Sequence, residues 1–192
     1  MRALATSGRL QDALSRARQA LQGTGGLPSI DVGRARVRAL PTSLPLSRAD
    51  EAAQVAVVAT SSSGVTLLFV EQALDDGWFS HWHAAERTAV VSCAGFADQT
   101  GLTLEAFAAY ELLFHGLRVQ SERYDPLALA HRRSRGCLFD LCLDKAEIAV
   151  KLQAGHICEE CLAALRHLGV DARATGRSWS AVQALAHPAP AA

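Results

Sequence analysis

Four of the chain's five cysteines fall in one stretch, as Cys137-x4-Cys142 followed by Cys158-x2-Cys161. Thiolates are strong zinc ligands, and two cysteines separated by two residues close on a single ion because a tight turn points both sulfurs the same way. The wider Cys137/Cys142 pair suits a longer knuckle. Together Cys137, Cys142, Cys158 and Cys161 read as one structural zinc site. Two plainer readings stand beside it: buried cysteines behave as small apolar residues, and a lone CxxC can be a redox pair. Between the pairs, DKAEIAVKLQ (144–153) is read as a short helix.

Other residues could also carry chemistry. In TLEAFAAYELLFHG (103–116), Glu111 and His115 lie four apart on a stripe otherwise made of Leu104, Phe107, Ala108 and Leu112. A carboxylate on an apolar face needs a partner or a metal, because its desolvation is costly. Glu111 either pairs with His115 or a nearby arginine, or belongs to an active site with it. His81 and His83, two apart, project together if they lie on a strand and read otherwise as ordinary loop histidines. Arg132, Arg133 and Arg135 form a basic cluster before the first cysteine, either a phosphate-binding patch or a solvated loop.

The elements that must position these residues follow from hydrophobic periodicity. Leu10, Ala13, Leu14, Ala17 and Leu21 predict an amphipathic helix over about 8–22, stopped by Gly23 and Gly25-Gly26. Arg34, Arg36 and Arg38 alternate with small apolar residues as on a half-buried strand, where charges also discourage edge pairing. Three apolar runs, Gln54–Thr60, Val65–Val70 and Thr88–Cys93, read as strands buried on both faces. The first two are joined across Ser61–Gly64 as a hairpin, which makes the sheet mixed. Thr103 caps a helix to about Gly116 that is apolar almost all round and therefore central. A turn of helix is placed at 127–131, a short helix at 158–168 and a weak element at 180–185, before a frayed tail. The reading is one domain over 1–192, with an α/β core at 8–135, a zinc module at 136–170 and a tail at 186–192. The fold class is mixed α/β (α+β), a central sheet covered by helices.

Charge excludes a global field. The 19 basic and 19 acidic residues cancel, so a nucleic-acid or membrane partner would need a local patch. No apolar run has the length of a membrane span, and the opening residues mix Arg, Asp and Gln into their apolar positions, unlike a signal peptide. Thiols used for metal, with Cys93 left over, suit a reducing compartment, so the chain is placed in the cytoplasm.

The order of these features resembles the archaemetzincins, zinc metallopeptidases whose helix motif HExxHxxGxxH is followed at once by Cys-x4-Cys and later by CxxC. The segment Tyr110-Glu111-Leu112-Leu113-Phe114-His115-Gly116 resembles that motif helix, Ala89–Ser92 the strand before it, and Cys137, Cys142, Cys158 and Cys161 the four structural-zinc cysteines. The resemblance implies a zincin-like fold with a structural zinc, and in the family a catalytic zinc with the glutamate as general base. Here only Glu111 matches the catalytic set. Tyr110 and Phe114 stand where two histidine ligands belong, His115 is one position off, and Gly136 occupies the third histidine's place. The expectation is therefore one structural Zn²⁺, no catalytic zinc, and a degenerate protein that binds a peptide or protein partner. The alternatives are a divergent metallopeptidase or hydrolase using Glu111, His115 and His131, and a zinc-ribbon nucleic-acid module.

Overall fold

The computed structural model describes residues 1–35, 44–59 and 64–187. Five strands form one sheet in the order β2-β1-β3-β5-β4: β1 (Arg2–Ala5), β2 (Asp31–Arg34), β3 (Thr66–Val70), β4 (Ser80–His83) and β5 (Thr88–Ser92). β1, β2, β3 and β5 run parallel, and β4 closes one edge antiparallel to β5. Every residue of β3 and β5 is buried, as their continuous apolar runs predict for strands covered on both faces. Alternation splits them between two cores. Ala3, Ala5, Leu67, Phe69, Ala89 and Val91 face the larger one, and Leu4, Leu68, Val70 and Val90 the smaller.

The smaller core is covered by helix α2 (Arg48–Ala59), which brings Val55 and Val58 onto the sheet. This overturns the strand expected at Gln54–Thr60 and the hairpin that depended on it; residues 60–63 lie outside the described residues. Ser47 Oγ accepts from the Asp50 N–H at 3.1 Å and starts the helix, and Glu51, Gln54, Val55 and Val58 then share its buried face. A short run of valines has no period of its own, and the cap upstream decided its conformation. Of the alternating arginines only Arg34 is described, in β2; Arg36 and Arg38 lie outside the described residues.

The larger core holds α1 (Gly8–Leu21), α3 (Phe96–Thr100), α4 (Leu104–Gln120), α5 (Pro126–Leu129), α6 (Lys145–Ala154), α7 (Glu159–His167) and α8 (Ala172–Ala186). In α4, Thr103 Oγ1 accepts from the Ala106 N–H at 3.2 Å, and residues 106–113 and 115–117 are buried. The helix is central, as its apolar circumference predicts. It contacts α1 and α8. No helix among the described residues is long and apolar enough to cross a membrane.

The weak element expected at 180–185 is the fifteen-residue α8, because Ala, Gly and Ser give little periodic signal while Thr175, Ser178, Trp179, Val182 and Ala186 still bury one face. Asp171 caps it, and hydrogen bonds from the Ala174 and Arg173 N–H groups hold the carboxyl below its ordinary 3.8. A carboxyl depressed on folding contributes stability that is present above its unfolded pKa and lost as pH falls through the folded one. Asp171→Ala should therefore lower the melting temperature at neutral pH, and by less once the pH has fallen below the folded-state pKa, read by paired thermal melts.

Helix α8 approaches the chain closely at Gly26. A Cβ there would lie 2.3 Å from Ser178 Oγ and 2.4 Å from the Ala174 carbonyl oxygen, and the second of these cannot rotate away. Gly26→Ala is expected to cost about 1–3 kcal/mol, read as a lowered urea midpoint.

Candidate metal centre and the adjoining cavity

The metal centre begins at a backbone crossing. The His131 N–H donates to the Phe139 carbonyl at 2.9 Å and the Leu141 N–H to the His131 carbonyl at 3.0 Å, so His131 runs beside Asp140. Asp140 fixes the intervening turn: its Oδ2 accepts from the N–H groups of Arg135 at 2.7 Å and Cys137 at 3.1 Å and from Ser134 Oγ at 3.2 Å. Gly136 takes the left-handed φ of +74° within that turn, and a Cβ would meet that of Ala154 at 2.4 Å. On the other side, the Leu138 N–H donates to the His156 carbonyl at 3.1 Å, which draws in the chain leading to Cys158 and Cys161 at the start of α7.

These contacts gather one imidazole and three thiols. The ligand atoms of His131, Cys137, Cys158 and Cys161 all lie within 4.8 Å of one another. His131 Nε2 is 3.1 Å from Cys158 Sγ and 3.2 Å from Cys161 Sγ, and the Cys158 N–H points at Cys137 Sγ, 3.4 Å away. A tetrahedral zinc places neighbouring nitrogen and sulfur donors roughly 3.3–3.8 Å apart, slightly beyond the two His131 distances, so a His/Cys₃ zinc fits this set after a small outward movement of the side chains. Burial pushes the Cys137 and Cys161 thiols up, the state expected of a dry thiol cluster before a cation offsets it. Acidic residues on the first turn of α7, Glu159 and Glu160, complement its dipole.

Cys142, expected as the fourth ligand, is placed elsewhere. The turn held by Asp140 sends it towards α4, where it lines a cavity with Tyr110 and Lys151. Burial lifts its thiol to about 11, against the pull of the Lys151 ammonium. His131 takes the fourth place in the gathered group and is correspondingly absent from the Glu111/His115 pair, with which sequence reasoning had grouped it. The helix expected between the cysteine pairs is present as α6, capped by Asp144, and Lys145 ties it to the end of β5 through Ser92 Oγ at 3.2 Å.

The cavity measures about 220 Å³ and lies between α4, β4 and the turn of the metal centre. Trp82, Phe114 and Phe139 form apolar walls, with Glu111 and His115 among the lining residues. His115 Nε2 lies 3.4 Å from Glu111 Oε2 and shares a hydrogen bond of 3.2 Å with Ser80 Oγ; its ring stacks on Trp82. The Lys151 ammonium donates to Tyr110 Oη at 3.1 Å and to the Leu138 carbonyl at 3.0 Å. Burial raises the Tyr110 hydroxyl well above its ordinary value, so it stays protonated. The Arg118 guanidinium rests 4.4 Å above the Trp82 ring.

His81 and His83 do lie on a strand, β4, and both turn to Glu51 of α2: His81 Nδ1 is 2.8 Å from Oε2, and His83 Nε2 meets Oε1. Glu51 was hidden from sequence reasoning because the strand read at Gln54–Thr60 left it outside any element, whereas α2 carries it on its buried face. Ser80, Asp140 and Lys151 were missed as well, since each acquires its role through contacts made far along the chain. Arg135 of the basic cluster pairs with Glu160 at 2.9 Å, and Arg132 and Arg133 are exposed.

No family model matches the chain, and no curated protein matches it. Among solved structures, the crystal structure of archaemetzincin from Methanopyrus kandleri is similar, with a TM-score of 0.53 over 86% of this chain and 92% of that one at 16% identity. At that identity the likeness is one of fold. The mixed α/β architecture, with five strands flanked by helices, matches the archaemetzincin fold, and the chain carries within it a group able to bind zinc.

Proposed function

We propose that this chain is a metzincin-like protein with one structural zinc, held by His131, Cys137, Cys158 and Cys161, that has lost peptidase activity and works by binding a peptide or protein partner in the cavity beside α4. The observation that carries the reading is the chemistry of the cavity's donors. Tyr110 and Phe114, at the positions the family resemblance gives to two histidines, both line the cavity; the phenyl ring offers no ligand, and the phenol is engaged by Lys151. Cys142 and Asp140 also line the cavity, but among the described residues no third such donor gathers with Glu111 and His115, where a catalytic zinc takes three from the protein, so the residues present do not fit that ion. An aromatic, concave surface remains, of the kind that holds ligands.

The test is elemental analysis of purified chain together with a peptidase assay on unstructured peptides. One zinc per chain, lost in the Cys158→Ser/Cys161→Ser variant, and no cleavage is the expected result. A second zinc retained in that variant, or cleavage abolished by Glu111→Gln, would overturn it. The second reading, a divergent hydrolase using Glu111 with His115, draws on the closeness of these two groups to Ser80, and the same assay decides between them.

A further inference from the structure

Five buried polar atoms of residues lining the cavity have no hydrogen-bond partner: both carboxylate oxygens of Glu111, Oδ1 of Asp140, Nδ1 of His115 and Nε of Arg118. Three of the five are carboxylate oxygens, which accept hydrogen bonds when ionised. Glu111 itself is 1% exposed. Lys151 is directed to Tyr110 and the Leu138 carbonyl and Arg118 onto the Trp82 ring, while His115 Nε2, 3.4 Å from Glu111 Oε2, has its hydrogen bond with Ser80 Oγ. A buried carboxylate without donors is costly to maintain, and a binding site is a common reason to keep one. What Glu111 lacks is an aligned donor, and a carboxylate with both oxygens open favours a positively charged one.

The walls say what the donor is attached to. Trp82, Phe114 and Phe139 line the same cavity as Glu111, and such rings pack against methylene groups and attract a cation over their faces. At about 220 Å³ the space suits one long side chain and no folded segment. The mouth carries Trp78, Leu127 and Leu141, which are 40%, 73% and 37% exposed, an apolar rim that a free small amine would leave uncovered and the flanking residues of a peptide would cover.

We propose that the cavity receives the basic side chain of a peptide, with its ammonium group on Glu111, its methylene stem between the aromatic walls, and its neighbouring residues on Trp78, Leu127 and Leu141. The inference rests on the binding reading above and gives that partner a chemistry. Lysine is the side chain used to test it, because norleucine supplies nearly the same stem without the charge.

The experiment is calorimetric titration of the full, zinc-loaded chain with Ac-Ala-Ala-Lys-Ala-Ala-NH2, with the norleucine and glutamate versions of that peptide, and with hexylamine; the fluorescence of Trp78 and Trp82 gives a second readout. The lysine peptide is expected to bind about tenfold or more tightly than the norleucine and glutamate peptides, and Glu111→Gln should bring it down to the norleucine level with zinc content unchanged. Equal binding of lysine and norleucine peptides, or an affinity untouched by Glu111→Gln, would refute recognition by Glu111 while leaving a peptide-binding cleft standing. Hexylamine binding as tightly as the lysine peptide would refute the peptide as its source. No binding by any of the four would refute this inference and the binding reading together. Should Glu111→Gln fail to fold, the lysine and norleucine comparison on the unaltered chain still decides.

Discussion

His131→Ala is expected to abolish zinc binding, whereas Cys142→Ser should leave one zinc per chain in place, measured by elemental analysis after gel filtration. The two substitutions separate the donor set the structure gathers from the one that cysteine spacing alone suggests. Stripping the ion from the unaltered chain should have the same consequence as His131→Ala. Three thiols and an imidazole then share one small volume, with Cys137 at 0% and Cys161 at 2% exposure and little else to organise them. Structural zinc contributes folding free energy directly, about 10–16 kcal/mol in isolated zinc-finger peptides, and a fraction of that suffices to unfold the knuckle and detach α7. Loss of helical circular dichroism and new protease cleavage between residues 131 and 167 are the signals to measure. Their absence on complete chelation would show that the module stands without metal. The sign with pH also follows. Burial raises the Cys137 and Cys161 thiols, so zinc enters by displacing protons, and its affinity should fall as pH falls.

Phe107→Ala is expected to cost about 3–5 kcal/mol, read as a lowered urea midpoint. Phe107 is fully buried on α4 and stacks on Phe96 of α3, ring centroids 4.3 Å apart and planes at 18°. Its removal leaves a void that neither helix can collapse into, because α4 is also packed against α1 and α8. A cost below about 1 kcal/mol would mean that the core repacks freely. Phe107 lies one turn before Glu111, so the substitution should also weaken ligand binding through the misplacement of α4.

What could be read from the residues in order was what depends on near neighbours. Thr103 and the apolar circumference of 104–117 announced a central helix, and the runs at 65–70 and 88–93 announced strands covered on both faces. The cysteines announced a group able to bind zinc, and three of the four belong to the one gathered. The fourth position was beyond such reasoning. Whether Cys142 or His131 enters the site depends on where the Asp140 turn sends the chain, and that turn is fixed by contacts with Arg135 and Cys137 rather than by any spacing of ligands. Likewise, nothing local assigns His81 and His83 to Glu51, because the three meet only after a helix and an edge strand have packed.

The position of β1 in the sheet bears on the speed of folding. β1 lies between β2 and β3, and Arg2 to Ala5 align with Thr66 to Phe69 far along the chain. Such distant parallel pairings are slow to form, whereas the metal ligands, from His131 to Cys161, close a shorter loop. Refolding with zinc present should show the knuckle protected from proteolysis before tryptophan fluorescence settles, with a later phase whose rate does not depend on zinc concentration. The sheet, and not the metal, then sets how long the newly made chain remains exposed to aggregation.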